Sequence, residues 1–78
     1  MLALINPIKY TAAVTPSDSA DLAAPCRALL VEVAGDVKVT YANGQIDTVY
    51  LVAGVFHGME VRRVWETGTD ATGIHVGY

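Results

Sequence analysis

Residues 36–52 read Asp-Val-Lys-Val-Thr-Tyr-Ala-Asn-Gly-Gln-Ile-Asp-Thr-Val-Tyr-Leu-Val, and this stretch decides the fold class. Val37, Val39 and Tyr41 alternate with polar residues, which is the period-two pattern of a half-buried strand. Asn43-Gly44 then marks a tight turn, because a two-residue type I′ turn needs positive φ at both central positions. The stretch is therefore predicted to form a β-hairpin.

The two-residue turn also predicts the register of this hairpin, in which Val37 faces Tyr50. Residues 46, 48 and 50 of the second strand then share the core face with the apolar residues of the first strand. Val49 and Leu51 fall on the opposite face, together with polar residues. We therefore expect an outer face that becomes apolar toward Leu51 and is available for a subunit contact.

The segment before the hairpin, residues 28–33, is rich in aliphatic residues and is predicted to be a strand. A three-residue connection over residues 34–36 would make it the neighbour of the first hairpin strand, with Leu29 beside Tyr41. A two-residue connection would place Glu32 next to the apolar face, so the three-residue connection is preferred.

Two further strands are predicted after the hairpin, over residues 59–66 and 74–78. Val61 and Val64 are three positions apart, so strict alternation cannot place both on one face. A β-bulge at Arg62-Arg63 would reconcile them. With these strands, the prediction is an all-β fold, a small antiparallel β-sandwich that is jelly-roll-like or a meander.

The first 25 residues differ from the rest, since all three prolines lie there. Residues 2–14 are predicted to form an extended apolar arm with one charge, Lys9, which becomes ordered on a neighbouring subunit or a larger surface. Residues 15–18 are compatible with a single helical turn or with a plain loop. The expected organisation is an arm and loop over residues 1–25 and a β-sandwich domain over residues 26–78.

The composition is typical of a subunit that buries part of its apolar surface against partner subunits. A chain of 78 residues forms one domain and buries only roughly 60% of its unfolded surface. Hydrophobic residues make up 53% and charged residues 17%, against a usual charged share of about 25%. A single cysteine excludes an internal disulfide. Association with other subunits is therefore the expected source of stability.

Several function classes are not expected from the residues. The net charge is −3 and the five basic residues are scattered, which is atypical of a nucleic-acid partner. No apolar run approaches a membrane span, and the apolar opening is too short for a signal sequence. Cys26 is interpreted as a small buried side chain, and His57 and His75 lack metal-ligand spacing. No catalysis, metal or cofactor is expected.

The remaining candidates are interface residues. Arg62-Arg63 would be either solvated edge charges or a pair in which one arginine meets an acid of a neighbour, such as Glu32 or Glu60. Trp65 is compatible with a core or an interface position. The full set of predicted interface residues is Leu2, Leu4, Ile5, Pro7, Ile8, Tyr10, Val49, Leu51, Arg62, Arg63 and Trp65.

An ordered set of motifs runs from residue 15 to residue 78. The motifs are Thr15-Pro16-Ser17-Asp18, Arg27-Ala28-Leu29-Leu30-Val31, Ala34-Gly35-Asp36-Val37, Val61-Arg62-Arg63-Val64, Thr67-Gly68-Thr69-Asp70-Ala71-Thr72 and the closing Ile74 to Tyr78. This order resembles the head spike base proteins of gene transfer agents and related small virion proteins of tailed phages. Residues 1–14 and the bulky stretch 55–58 depart from that pattern.

The resemblance implies a structural virion protein made in the bacterial host cytoplasm and placed on the outer surface of the capsid. Such a protein would form a pentamer or trimer with itself, contact the major capsid protein at a vertex and support a spike or fibre. One alternative is a cement or decoration protein that clamps capsomers at local threefold sites. A second alternative, from another class, is a small carbohydrate- or ligand-binding β domain with Trp65 and Tyr50 as its aromatic residues.

Overall fold

A computed structural model describes residues 7–78, which form two antiparallel sheets and no helix. The seven strands are β1 Thr11–Ala13, β2 Ala28–Leu30, β3 Gly35–Tyr41, β4 Ile46–Leu51, β5 His57–Gly58, β6 Val61–Val64 and β7 His75–Gly77. One sheet has the strand order β1-β7-β2-β5, and the other has the order β4-β3-β6. The predicted all-β sandwich is confirmed.

Residues 31–34 cross from one sheet to the other, so the predicted pairing of β2 with β3 is wrong. Leu29 lies opposite Val76 of β7 and His57 of β5, not beside Tyr41. The only consecutive strands that pair within the described part of the chain are β3 and β4, so the order is not that of a meander. The crossing is possible because Gly35 has no side chain where it passes the backbone of residues 70–71.

The hairpin of β3 and β4 forms, but its predicted register is wrong by one residue. Val37 pairs with Val49, not Tyr50. The turn has three residues rather than two: the Gly44 N–H donates to the Tyr41 carbonyl, and the Tyr41 N–H to the Gln45 carbonyl. Gly44 has a φ of 94°, and no residue other than glycine has positive φ in the described chain. This is a type I turn closed by a glycine bulge.

The one-residue shift reverses the two faces of β4. Leu51 is 2% exposed and belongs to the core, and Val49 packs against that core. Their predicted placement on an outer face for subunit contact is therefore wrong. Ile46 and Tyr50 lie on the outer face instead, and both are exposed.

The β-bulge predicted in β6 is confirmed. Val61 pairs with Tyr41 and Arg63 with Thr40, so Arg62 is the extra residue. Both Val61 and Val64 are consequently buried, although they are three positions apart.

The N-terminal segment joins the domain as an edge strand, since β1 pairs with β7. The Lys9 N–H donates to the Tyr78 carbonyl, and the Val14 N–H to the Ile74 carbonyl. Residues 9–14 are thus ordered by the chain's own sheet and need no neighbouring subunit. Residues 15–18 form a loop rather than a helical turn.

The core fills the space between the two sheets. Its mostly aliphatic side chains come from five of the seven strands, from the loops before β2 and β7 and from the crossing after β2. The buried cluster consists of Cys26, Leu29, Val31, Val37, Val39, Leu51, Val61, Val64, Ala71, Ile74 and Val76. Burial of each large member stabilises the fold by about 1.5–3 kcal/mol relative to exposure.

Candidate interaction surfaces

The N-terminal segment carries six of the predicted interface residues. Three of them, Leu2, Leu4 and Ile5, lie outside the described residues. Pro7 is exposed, whereas the half-buried Ile8 lies over Gly77, where a Cβ would come within 2.7 Å of Ile8 Cδ1. Tyr10 is exposed and stacks on Tyr78, with ring centroids 5.0 Å apart. Burial raises the pKa of Tyr78.

Trp65 lies on the outer face of the β4-β3-β6 sheet and is half-buried. Its Nε1–H donates a hydrogen bond to Thr40 Oγ1 at 2.9 Å, which satisfies a buried hydroxyl. Lys38 Nζ lies 4.5 Å from the ring centroid, and Arg63 Cζ lies 5.1 Å from it. The two cations hold the ring by cation–π attraction, so Trp65 is not an open platform for a ligand.

Arg63 uses its guanidinium within its own chain. Its Nε–H donates to Asp21 Oδ1 at 2.7 Å, and its two terminal nitrogens donate to the carbonyls of Asp18 and Ser19 at 3.2 and 3.4 Å. Within its own chain, the acid that Arg63 meets is Asp21, and a contact of either arginine with Glu32 or Glu60 of a neighbour stays a prediction. Arg62 is exposed at the bulge.

Asp18 connects the loop that contains it to the turn that follows β6. Its Oδ1 accepts the backbone N–H of Glu66 and of Thr67, at 3.0 and 2.9 Å, and its Oδ2 accepts the Thr67 hydroxyl at 2.6 Å. The Thr67 hydroxyl bond is the largest cause that lowers the pKa of Asp18. Nothing in the local sequence signals these contacts, because the partners are 48 and 49 residues apart along the chain.

The cysteine and the two histidines do not converge. Cys26 is buried, and desolvation raises the pKa of its thiol. His57 Nε2 lies 3.1 Å from the Val52 carbonyl, and His75 Nε2 lies 2.8 Å from Glu32 Oε2. Within residues 7–78, no three His, Cys, Asp or Glu side chains are grouped so that they could hold a metal ion. The same residues include no helix long and apolar enough to cross a membrane.

Exposed apolar side chains concentrate where the chain leaves β4 for β5. Tyr50 is 65% exposed, Val52 48%, Val55 50% and Phe56 41%. We call this stretch, residues 50–56, the apolar segment. Single exposed apolar residues are ordinary on a protein surface, but a run of four in seven residues is typical of an interaction site. The sequence pattern missed it because the register error placed Tyr50 in the core.

A cavity of about 260 Å³ opens between β1 and the loop of residues 15–23. Val64 and Val76 line it at the core, while Ala12, Ala20 and Ala23 form much of its wall. Alanine side chains are too short to fill the space between the two sheets at this point. We call it the alanine cavity.

Comparison with solved structures finds a match along the whole chain. The related chain comes from a structure titled "Capsid of native GTA particle computed with C5 symmetry", a gene transfer agent. The match covers 100% of this chain and 92% of that chain, with 33% sequence identity and a TM-score of 0.85. This chain belongs to that family of gene transfer agent capsid components. It is a capsid-associated structural protein, and the resemblance to gene transfer agent virion proteins is confirmed at that level. No protein-family model matches the chain, and no curated protein sequence matches it.

Proposed function

We propose that this chain is the subunit of a homo-oligomeric spike base on the outer surface of the capsid, at a vertex. It contacts the major capsid protein below and supports a spike or fibre above. The observation that carries the proposal is the 33% identity over 92% of a chain from a gene transfer agent capsid.

The number of subunits is proposed to be five. The related chain belongs to a capsid that was computed with C5 symmetry. A ring of five needs head-to-tail contacts, in which one surface of a subunit meets a different surface of the next. Two unlike surfaces are therefore needed, and one candidate is the alanine cavity between β1 and the loop of residues 15–23.

The outer face of the β4-β3-β6 sheet argues against a carbohydrate-binding role. Sugar recognition needs an open aromatic ring, but Lys38 and Arg63 flank the ring of Trp65. Tyr50 is 65% exposed, but the other exposed members of the apolar segment are Val52, Val55 and Phe56, whose side chains have no polar group for a sugar hydroxyl.

The test is the oligomeric state together with binding to capsids. Native mass spectrometry of the purified chain should give a pentamer, and cryo-electron microscopy of empty capsids mixed with it should show added density at the vertices. A trimer with density at local threefold positions would support the cement alternative instead. A chain that stays monomeric, leaves capsids bare and binds glycans on an array would contradict a structural virion role.

A further inference from the structure

The alanine cavity is a half-open, mostly apolar groove at the edge of the core. Val64 and Val76 at its floor are 2% and 1% exposed and are already covered, whereas Ala20 and Ala23 on its wall are exposed. These alanines lack partner atoms on their outer side, so an apolar side chain seated in the groove would add dispersion contacts. An apolar cavity of about 150 Å³ is enough to bind benzene. A cavity of about 260 Å³ therefore has room for a large aliphatic side chain.

Two polar side chains at the rim of the cavity are already paired, and most of its lining is apolar. The Asp21 carboxylate accepts from Arg63, and the Ser17 hydroxyl accepts the backbone N–H of Ser19 and of Ala20. The mostly apolar lining favours an apolar occupant, and the fitting one is an aliphatic segment without charged side chains.

Residues 1–5 of this chain, Met-Leu-Ala-Leu-Ile, have that chemistry. They precede Ile8, whose side chain lies over Gly77. Gly77 pairs with Thr11 and Ala28, and this row of residues faces away from the core, since the next row contains Leu29 and Val76. Ile8, close to the start of the described chain, therefore lies on the outer face of its sheet, whereas the alanine cavity opens between β1 and the loop of residues 15–23.

We propose that subunits exchange N-terminal arms, so that residues 2–5 of one copy fill the alanine cavity of the next copy. Leu4 is the side chain that packs against Ala20, an exposed residue of the cavity wall. The contact is head-to-tail, as a ring requires. The inference rests on the proposed homo-oligomeric function and names the contact that builds the oligomer.

Disulfide trapping tests the exchange directly. One chain carries Leu4→Cys and an affinity tag, and a second, untagged chain carries Ala20→Cys. The native Cys26 stays, since it is buried and its pKa is raised. After mixing, refolding and mild oxidation, the expected product is a covalent dimer of one tagged and one untagged chain. The control replaces Ala20→Cys by Ala42→Cys, an exposed position in the hairpin turn, and should give no such product.

The double variant Leu4→Cys/Ala20→Cys separates exchange from occupation by the chain's own arm. Exchange gives a ladder of covalent oligomers, whereas a monomer that has lost both new thiols would overturn the proposal. An intact pentamer without any cross-link would also overturn it, while leaving the proposed function standing. A chain that never oligomerises would contradict both.

A second variant fills the cavity from within. Ala20→Phe should exclude the arm and raise the dissociation constant of the oligomer by at least about tenfold, the loss expected for one buried aliphatic side chain. Ala42→Phe is the matched control and should leave the oligomer unchanged. Circular dichroism verifies that both variants are folded. A folded Ala20→Phe variant that assembles like the wild type would refute arm exchange.

Discussion

The Asp18 carboxylate connects two loops that are distant in sequence. It accepts hydrogen bonds from the hydroxyl and the N–H of Thr67 and from the N–H of Glu66, and these bonds favour the ionised form. The pKa of Asp18 is therefore lower in the folded chain than its ordinary value of 3.8. The resulting stabilisation is complete above about pH 4 and is lost as the pH falls through the folded-state pKa.

Thr67→Ala should raise the pKa of Asp18 toward its ordinary value, because the Thr67 hydroxyl is the largest cause of the shift. The measurement is a pH titration of the Asp18 carboxyl carbon by NMR. Thr72→Ala is the control, since no hydrogen bond of the Thr72 hydroxyl is present and the residue is exposed. An unchanged titration of Asp18 in Thr67→Ala would show that the hydroxyl does not hold the carboxylate.

At the level of single residues, the burial of Cys26 could be predicted from the sequence, whereas the partner of Arg63 could not. Cys26 was predicted to be a small buried side chain, and it is. The partner of Arg63 was not predicted, because Asp21 lies 42 positions away and no local pattern connects them. The burial of Cys26 follows from the chemistry of its own side chain, whereas an ion pair depends on which distant segment the fold brings beside the arginine.

At the level of elements, Gly35 is where the chain moves from one sheet to the other. A Cβ on Gly35 would lie 2.9 Å from the backbone nitrogen of Ala71 and 3.2 Å from the carbonyl carbon of Asp70. That backbone is held in place, since the N–H groups of Asp70 and Ala71 both donate to the Asp36 carbonyl. The close approach cannot be relieved by turning a side chain.

Gly35→Ala should therefore reduce the free energy of unfolding by about 1–3 kcal/mol, the usual cost of overpacking. Urea denaturation followed by tryptophan fluorescence measures it. Gly58→Ala is a matched control in a strand, because nothing lies within 4 Å of its added Cβ, and its effect should stay within about 0.5 kcal/mol. Equal losses in the two variants would mean that the glycine backbone, not the crossing, sets the cost.

In the hairpin, the strands were predicted correctly, but the buried and exposed faces of the second strand were not. The alternation in residues 36–52 correctly predicted two strands and the turn at Asn43-Gly44. The turn includes Ala42 as a third residue, and this single addition moved Leu51 to the core and Tyr50 to the surface. The candidate interface changed with it, since the apolar segment replaces the predicted contact of Val49 and Leu51.

At the level of the whole molecule, the composition predicted more apolar side chains than a small core can bury, and the structure shows where they lie. The apolar segment carries four exposed members, and exposed alanines line the alanine cavity. We propose different partners for the two surfaces: the arm of another copy for the cavity, and the capsid shell for the apolar segment.

This assignment predicts that the two contacts can be lost one at a time. Phe56→Asp places a charge in the apolar segment and should lower binding to empty capsids at least about tenfold, while the oligomer persists in native mass spectrometry. Ile46→Asp is the matched control: Ile46 is an exposed apolar residue at the opposite end of β4, outside the apolar segment, and its substitution should leave capsid binding unchanged. Loss of the oligomer in Phe56→Asp would instead place the apolar segment between subunits. Equal loss of capsid binding in both variants would mean that the capsid contact includes both residues and therefore extends from the apolar segment along the whole of β4.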